Sequence, residues 1–349
     1  MRILVFSERL RPPLDEGFKN TAIMLVRVLR QQHDVAALTT FGVDIPGEGV
    51  RNIPANKLLL GGALRRAVRD AAPDIVVYIP TASATPAAML RTHVLAGYAP
   101  RSRIAMLALQ PRAYDPLTRL AIRFIRPHLI LTQSLAMTGL LRGLGCTVVH
   151  VPPAVDATRF TPASDGRRRA LRQQLSLPTE SYIVLHVGHI NANRNVQVLA
   201  RVQQAGGQAV LVGSTSTPQD DGLARDLQAA GVIVVRHYVR KIEEYYQAAD
   251  CYLFPVVSST GAISVPLSVL EAMACNLPIV TTPYGDLPAL FPQDRLRFSR
   301  SDDELVVNVL AARQIGNAAT RQLVLPFTWQ SVAEDIIKSV LMHNDSPFG

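Results

Sequence analysis

The feature that most restricts this chain is an alternation: a short apolar, β-branched run, then a stretch of helical periodicity, then another apolar run. Strands are expected at 3–6, 35–39, 75–79, 104–109, 129–132 and 148–151, with helices between them at 21–31, 58–71, 87–95, 117–124 and 135–144. Apolar runs without strict alternation fit strands covered on both faces, and such strands joined by helices make right-handed βαβ units in a parallel sheet. The rhythm pauses over 152–162, where Pro152, Pro153 and Pro162 flank a polar stretch, and a charge run follows at 164–169. It then resumes, with strands expected at 183–187, 209–212, 232–235, 252–254, 279–282 and 296–298. Helices are expected at 195–204, 222–230, 242–249, 267–275 and 303–312, and an amphipathic helix over 327–341 carries the only tryptophan, Trp329. The fold class is therefore α/β, with two doubly wound domains. The first spans 1–158, a linker spans 159–175, the second spans 176–326, and a closing helical segment spans 327–349.

A chain of 349 residues, 48% of them hydrophobic, can bury a core in each of two such domains. Cys146, Cys251 and Cys275 form no CxxC or Cys/His cluster, which argues against a disulfide framework, a zinc site or any other metal. No apolar run approaches the ~20 residues of a membrane span, and the apolar part of the N-terminus is too short for a signal peptide. A cytoplasmic protein is expected. The net charge of +9 comes almost entirely from arginine, 32 residues against 4 lysines. Such a balance favours nucleic acid, an anionic membrane surface or an acidic small molecule. No aromatic-interleaved basic patch or groove-reading motif is present, so nucleic acid is not an expected partner.

Three loops can carry chemistry. The first βα turn, 7–17, has no GxGxxG pattern, and no GxxxxGK[ST] occurs anywhere, which removes the main support for a dinucleotide or a P-loop nucleotide. Gly17 lets the backbone approach a ligand closely before a helix expected near Asn20, although a surface turn needing glycine reads the same way. The corresponding turn of the second half, 187–196, places His189 and Arg194 after a glycine, an arrangement suited to clamping a diphosphate; an ordinary hydrogen-bonded loop histidine is the plainer alternative. In the stretch 261–283, Pro266 opens a helix that turns on Leu267, Leu270 and Met273, and Asn276 can take the left-handed cap before the strand at 279. The start of that helix suits a phosphate, and Glu271, about one turn in, can accept hydrogen bonds from a sugar hydroxyl. By itself the segment is equally an ordinary buried helix with a glutamate at its edge.

Four blocks together resemble the large family of retaining, nucleotide-sugar-dependent glycosyltransferases that includes sucrose synthase-like and mannosyltransferase enzymes. They are the Pro-Pro loop ending at Gly17, Pro153-Ala-Val-Asp leading to Phe160, Val187-Gly-His leading to Arg194, and 245–255 running into Leu270-Glu-Ala-Met-Ala-Cys-Asn-Leu-Pro278. The resemblance covers nearly the whole chain and is strongest over 245–283. It implies two Rossmann-like domains facing a central cleft (the GT-B type), an acceptor-side first domain, a second domain that binds the nucleotide sugar, and a closing helix that crosses back. It implies a UDP- or GDP-linked donor sugar, no cofactor, and catalysis without a metal. By resemblance Glu271 holds the ribose, the amides near Leu267 and Ser268 meet the diphosphate, and Arg194 stands where a lysine commonly balances phosphate charge. His189 takes the place of an arginine, and the backbone around Tyr238 and Val239 faces the base.

Two departures accompany the match. The family has a glutamate eight residues before the equivalent of Glu271, where this chain has Ile263, leaving Ser264 as the nearest polar side chain. A histidine on the first domain's wall is replaced by Gln110, which can hydrogen-bond a sugar hydroxyl but takes no proton at neutral pH. The expected activity is transfer of a sugar to an acceptor hydroxyl; the alternative is a transferase-like protein that binds a ligand or partner without turnover. Arg119, Arg123 and Arg126 fall on one helical face, with Leu117, Leu120, Ala121 and Phe124 on much of the remainder, and Arg65, Arg66 and Arg69 add a second basic face. The plain reading packs those apolar residues on the sheet. The other takes the arginines to the inner face of the membrane and a lipid-linked acceptor.

Overall fold

The computed structural model describes residues 1–14, 16–258, 261–315 and 318–343. Asp15 of the first loop and the end of the closing segment lie outside them. The chain divides into two compact units. One is Met1–Pro153 together with the chain from Trp329 on, and the other is Ala154–Thr328.

The first unit is built on strands β1 (Arg2–Phe6), β2 (Asp34–Thr39), β3 (Val50–Asn52), β4 (Ile75–Tyr78), β5 (Arg103–Ala108), β6 (Ile130–Thr132) and β7 (Val148–His150). They form one seven-stranded sheet in the order β3-β2-β1-β4-β5-β6-β7, and every pair is parallel. Register follows burial: Ile3 lies opposite Ile75 and Val5 opposite Val77, all four without appreciable exposure. Such strands have no polar face to present to water, so helices must cover both sides. Helix Gly17–Leu29 packs with Trp329–His343 on one side, while Gly62–Ala71, Pro86–Tyr98 and Pro116–Ile122 follow one another as neighbours. Two starts differ from expectation. The first helix begins at Gly17 itself, not near Asn20, and the second begins at Gly62 because the Asn56 side chain accepts the amides of Leu58 and Leu60 at 2.9 Å and holds that stretch in a turn. The edge strand β3 is too short to leave a periodic signal.

The second unit repeats the plan. Strands β8 (Ile183–Gly188), β9 (Gln208–Gly213), β10 (Ile233–Val235), β11 (Cys251–Phe254), β12 (Ile279–Thr281) and β13 (Leu296–Phe298) make a six-stranded parallel sheet in the order β10-β9-β8-β11-β12-β13. The segment expected as a linker is not open chain: Asp165–Gln174 is a helix capped by Ser164 and packed on helix Glu243–Ala248. Its buried Arg172 donates to the carbonyls of Ala248, Thr179 and Ser181 and to Asp250 Oδ2 at 2.6 Å, and Asp250 in turn accepts the Ile183 amide at 2.7 Å. The charge run that read as a linker is thus a helix whose anchoring side chain is itself an arginine. Among the described residues no helix is long and apolar enough to cross a membrane, and no group of three or more His, Cys, Asp or Glu could hold a metal.

Candidate functional site

In a doubly wound sheet, ligands bind beyond the carboxyl ends of the strands where the order reverses, which in the second unit is between β8 and β11. The chain leaves β8 through Gly188 and enters a 3-10 turn, Ala192–Arg194, ended by Asn195 in the left-handed conformation (φ 51°). The Asn195 side chain donates to Asp302 Oδ1 at 2.8 Å, which fixes the turn from behind. From β11 the chain loops back to Pro266, the cap of helix Leu267–Ala274 rather than its first residue; Val269 and Leu270 donate to the Pro266 carbonyl. The amides of Leu267 and Ser268 therefore precede the first intrahelical bond, at the positive end of the helix dipole.

Arg194 is the unusual group. Burial holds its guanidinium below its ordinary value, and the groups favouring its charge are the phenols of Tyr252 and Tyr284, not a carboxylate. Among the described residues this half-buried cation has no carboxylate in an ion pair with it, so its charge can take an anion from outside. Beside it, His186 is fully buried, with Nδ1 at 2.9 Å from the Leu253 carbonyl and Nε2 without a partner. Burial pushes its pKa down to about 4, so the ring is neutral, Nδ1 donates and Nε2 offers a lone pair. A Cβ placed on Gly188 would sit 2.9 Å from that Nε2 and 3.4 Å from Arg194 Nη1, so both nitrogens border the same small space.

An aromatic row ties this corner to Glu271. Ring centroids are 5.6 Å apart for Tyr246–Tyr252, 6.3 Å for Tyr252–His186, 6.2 Å for His186–Phe254 and 5.4 Å for Phe254–Tyr284. At one end the Tyr246 hydroxyl donates to Glu271 Oε2 at 2.8 Å; at the other the Tyr284 hydroxyl donates to the Ala262 carbonyl at 2.7 Å and accepts the Ala262 amide at 2.8 Å. Burial raises the Glu271 carboxyl to about 7, partly offset by the Tyr246 hydrogen bond. His189, half-buried, has Nδ1 at 2.7 Å from the Thr217 hydroxyl. Tyr238 is half exposed in the loop after β10, and Val239 packs against the core. Ser264 is different: it is buried, its hydroxyl lies 3.2 Å from Asp286 Oδ2, and Ile263 beside it is buried too. That leaves Ser264 little surface with which to meet a ligand.

Residues 181–319 match the family model described as glycosyl transferases group 1. Several relatives named as glycosyltransferases align with part of the chain. One is a D-inositol 3-phosphate glycosyltransferase of Corynebacterium jeikeium, 30% identical over 159 residues, covering 41% of this chain and 37% of that protein. Another, from Actinosynnema mirum, is 32% identical over 170 residues, 44% and 39% of the two chains. The chain thus spans little more than a third of the length of these relatives. A sulfoquinovosyl transferase of Arabidopsis thaliana aligns at 24% identity over 96% of this chain and 72% of its own. Among solved structures, an Anabaena protein in complex with UDP has a TM-score of 0.73 at 16% identity, covering 98% of this chain and 100% of its own. A sucrose-phosphate synthase from Thermosynechococcus elongatus has 0.74 at 16%, covering 97% and 98%. The fold is that of the GT-B glycosyltransferases.

Outside the matched residues, the first unit has a polar cluster at its own reversal point, between β1 and β4. Glu8, buried just past β1, accepts from Tyr78 Oη and the Thr81 amide, each at 2.6 Å, and pairs with Arg91 at 2.5 Å. Gln110, past β5, accepts from Arg112 Nη2 at 3.2 Å through Oε1, and its amide donates to Ser83 Oγ at 3.1 Å. Gly17 opens its helix, with its carbonyl taken by the Thr21 hydroxyl at 2.8 Å. Sequence reasoning missed Glu8, His186, Tyr246, Tyr252 and Tyr284. Glu8 lies two residues past the first apolar run in a loop already singled out, and the aromatic block 245–254 was visible; their pairing across strands was not.

Proposed function

We propose that this protein is a retaining glycosyltransferase that moves a sugar from a UDP- or GDP-linked donor to an acceptor hydroxyl. The observation that carries the reading is Arg194: a half-buried cation without a carboxylate partner among the described residues, at the strand-order reversal, in the same site as the free amides of helix Leu267–Ala274. Diphosphate charge satisfies both. Glu271, one turn further, would hold the ribose hydroxyls. The bond from the anomeric carbon to the diphosphate oxygen breaks, the acceptor oxygen bonds on the same face, and the acceptor proton passes to the leaving phosphate. Arg194 and the helix amides then lower the barrier by stabilising the charge that grows on that phosphate. With Ile263 in place of a glutamate and Gln110 in place of a histidine, the first motif carboxylate and the wall histidine take no part in this chain's transfer, and the donor sugar is held by other groups. The Anabaena protein with UDP and UDP-glucose bound supports a uridine donor, and the named transferases among the relatives weigh against a binding protein without turnover. For the acceptor we propose a lipid-carried hydroxyl reached at the inner membrane face.

Calorimetry with UDP-glucose, GDP-mannose and NAD tests the donor, and donor hydrolysis without acceptor tests turnover. A uridine or guanosine sugar should bind in the micromolar range and NAD should not; NAD binding as tightly would overturn the reading. Arg194→Ala should lower turnover by a factor of about 10²–10³, ~3–4 kcal/mol, with the fold intact. Unchanged turnover would remove Arg194 from the mechanism.

A further inference from the structure

Helix Pro116–Ile122 does not bury its apolar side. Among the apolar residues of 117–124 only Ile122 is buried; Leu117 is 79% exposed, Leu120 52% and Phe124 82%. Arg119, Arg123 and Arg126 are exposed around them. Arg119 donates to the Tyr114 carbonyl at 3.0 Å and Arg126 to the Gly145 carbonyl at 2.8 Å, and carbonyls leave the charge uncompensated. Among the described residues none of the three is in an ion pair.

The patch continues along one edge of the unit. Helices Gly62–Ala71, Pro86–Tyr98 and Pro116–Ile122 lie side by side, and each follows a strand, so their starts line the carboxyl-end rim of the sheet. Exposed Leu58 and Leu60 precede the first of them, exposed Leu90 lies near the start of the second, and Leu117 and Leu120 near the start of the third. Arg91 Nε donates to the Lys57 carbonyl at 2.7 Å, which ties the first two starts together. Arg65, Arg66 and Arg69 are exposed on the first helix.

We infer that this rim is a docking surface for an anionic lipid bilayer, with Leu117, Leu120 and Phe124 entering the headgroup region and Arg119, Arg123 and Arg126 on the lipid phosphates. Large apolar side chains ringed by arginine are what interfacial attachment requires. A second copy of the chain is a poorer occupant, because a two-fold contact would bring the same arginines face to face. The surface stands on its own geometry. It rests on the transfer reading only for its use, which is to set the carboxyl-end rim of the first unit against the membrane that supplies a lipid-carried hydroxyl.

Co-sedimentation of the full chain with vesicles of phosphatidylcholine, with and without phosphatidylglycerol, decides it, and needs no donor. Binding should require phosphatidylglycerol and weaken with salt. It should fall by about tenfold or more when Arg119, Arg123 and Arg126 are changed together to glutamine. It should fall again, without added salt dependence, when Leu117, Leu120 and Phe124 are changed together to serine. All six side chains are exposed, so melting temperature and nucleotide-sugar affinity should stay at the wild-type values in both variants. No binding to phosphatidylglycerol vesicles at low salt overturns the inference, as does binding that both triple variants leave unchanged. A dimer in light scattering that Phe124→Ser dissociates would assign the patch to a second copy instead.

Discussion

Glu271 shows how one side chain can be tuned against the stability of its own domain. Its carboxyl is raised by burial from 4.5 to about 7, so the folded protein holds a proton there that the unfolded chain releases. The contribution is fully present below the unfolded value and is lost as pH rises through about 7. Glu271→Gln keeps the acceptor for the Tyr246 hydroxyl and removes the titration. The variant should be more stable than wild type at about pH 8, by at most ~3 kcal/mol, and equal to it near pH 4.5. Urea titrations at the two pH values check this. Ribose hydroxyls would favour the ionised carboxylate, so UDP-glucose affinity should rise with pH through about 7 in wild type and stay flat and weaker in the variant; a flat wild-type profile would separate Glu271 from the donor. Glu271 and Arg194 were singled out from the sequence by position, one a turn into the helix after Pro266 and the other in the turn after β8. The neutral state of His186 was not legible there, since it comes from the ring's complete burial in the packed sheet.

Elements are held in register by a few groups that tolerate no change. Gly285 has φ +54°, and a Cβ there would lie 2.0 Å from the Ser264 carbonyl, ahead of helix Leu267–Ala274. Gly285→Ala should cost about 2–4 kcal/mol and weaken nucleotide binding together with stability, because the same loop presents the Leu267 and Ser268 amides. Denaturation midpoints and calorimetry on one preparation would show it, and a wild-type midpoint would refute the close approach. Helix Asp165–Gln174 makes the opposite point. Its sequence is polar apart from Ala170 and the buried Leu171, so hydrophobic periodicity gave no signal, and tertiary anchoring at Leu171 and Arg172 decided its place. Arg172→Ala leaves Asp250 without its buried partner and should cost about 3 kcal/mol or more, whereas Arg159→Ala, whose pair with Glu243 is largely solvated, should cost under ~1 kcal/mol.

Across the whole molecule, the last helix belongs to the unit in which the chain began. Trp329–His343 buries Trp329, Val332, Ala333, Ile336, Ile337 and Val340, and packs on helix Gly17–Leu29 and β5. Ending the chain at Thr328 should therefore lower the melting temperature of the Met1–Pro153 unit and leave that of Ala154–Thr328 in place. Calorimetry with limited proteolysis would assign the two transitions, and a uniform loss of both would contradict the division.

All strands of the two sheets but the edge strand β3 were determined by the sequence alone, because a parallel strand covered on both faces must be continuously apolar and helices must intervene. Positions of the loops after β8 and before helix Leu267–Ala274 followed from that rhythm. What the tertiary structure decided is which faces and charges are left without a partner. Periodicity shows that Leu117, Leu120 and Phe124 can share a side of their helix, yet nothing local says whether a neighbour covers it. It likewise placed Arg194 after a glycine, but only the packed site sets the phenols of Tyr252 and Tyr284 beside its guanidinium.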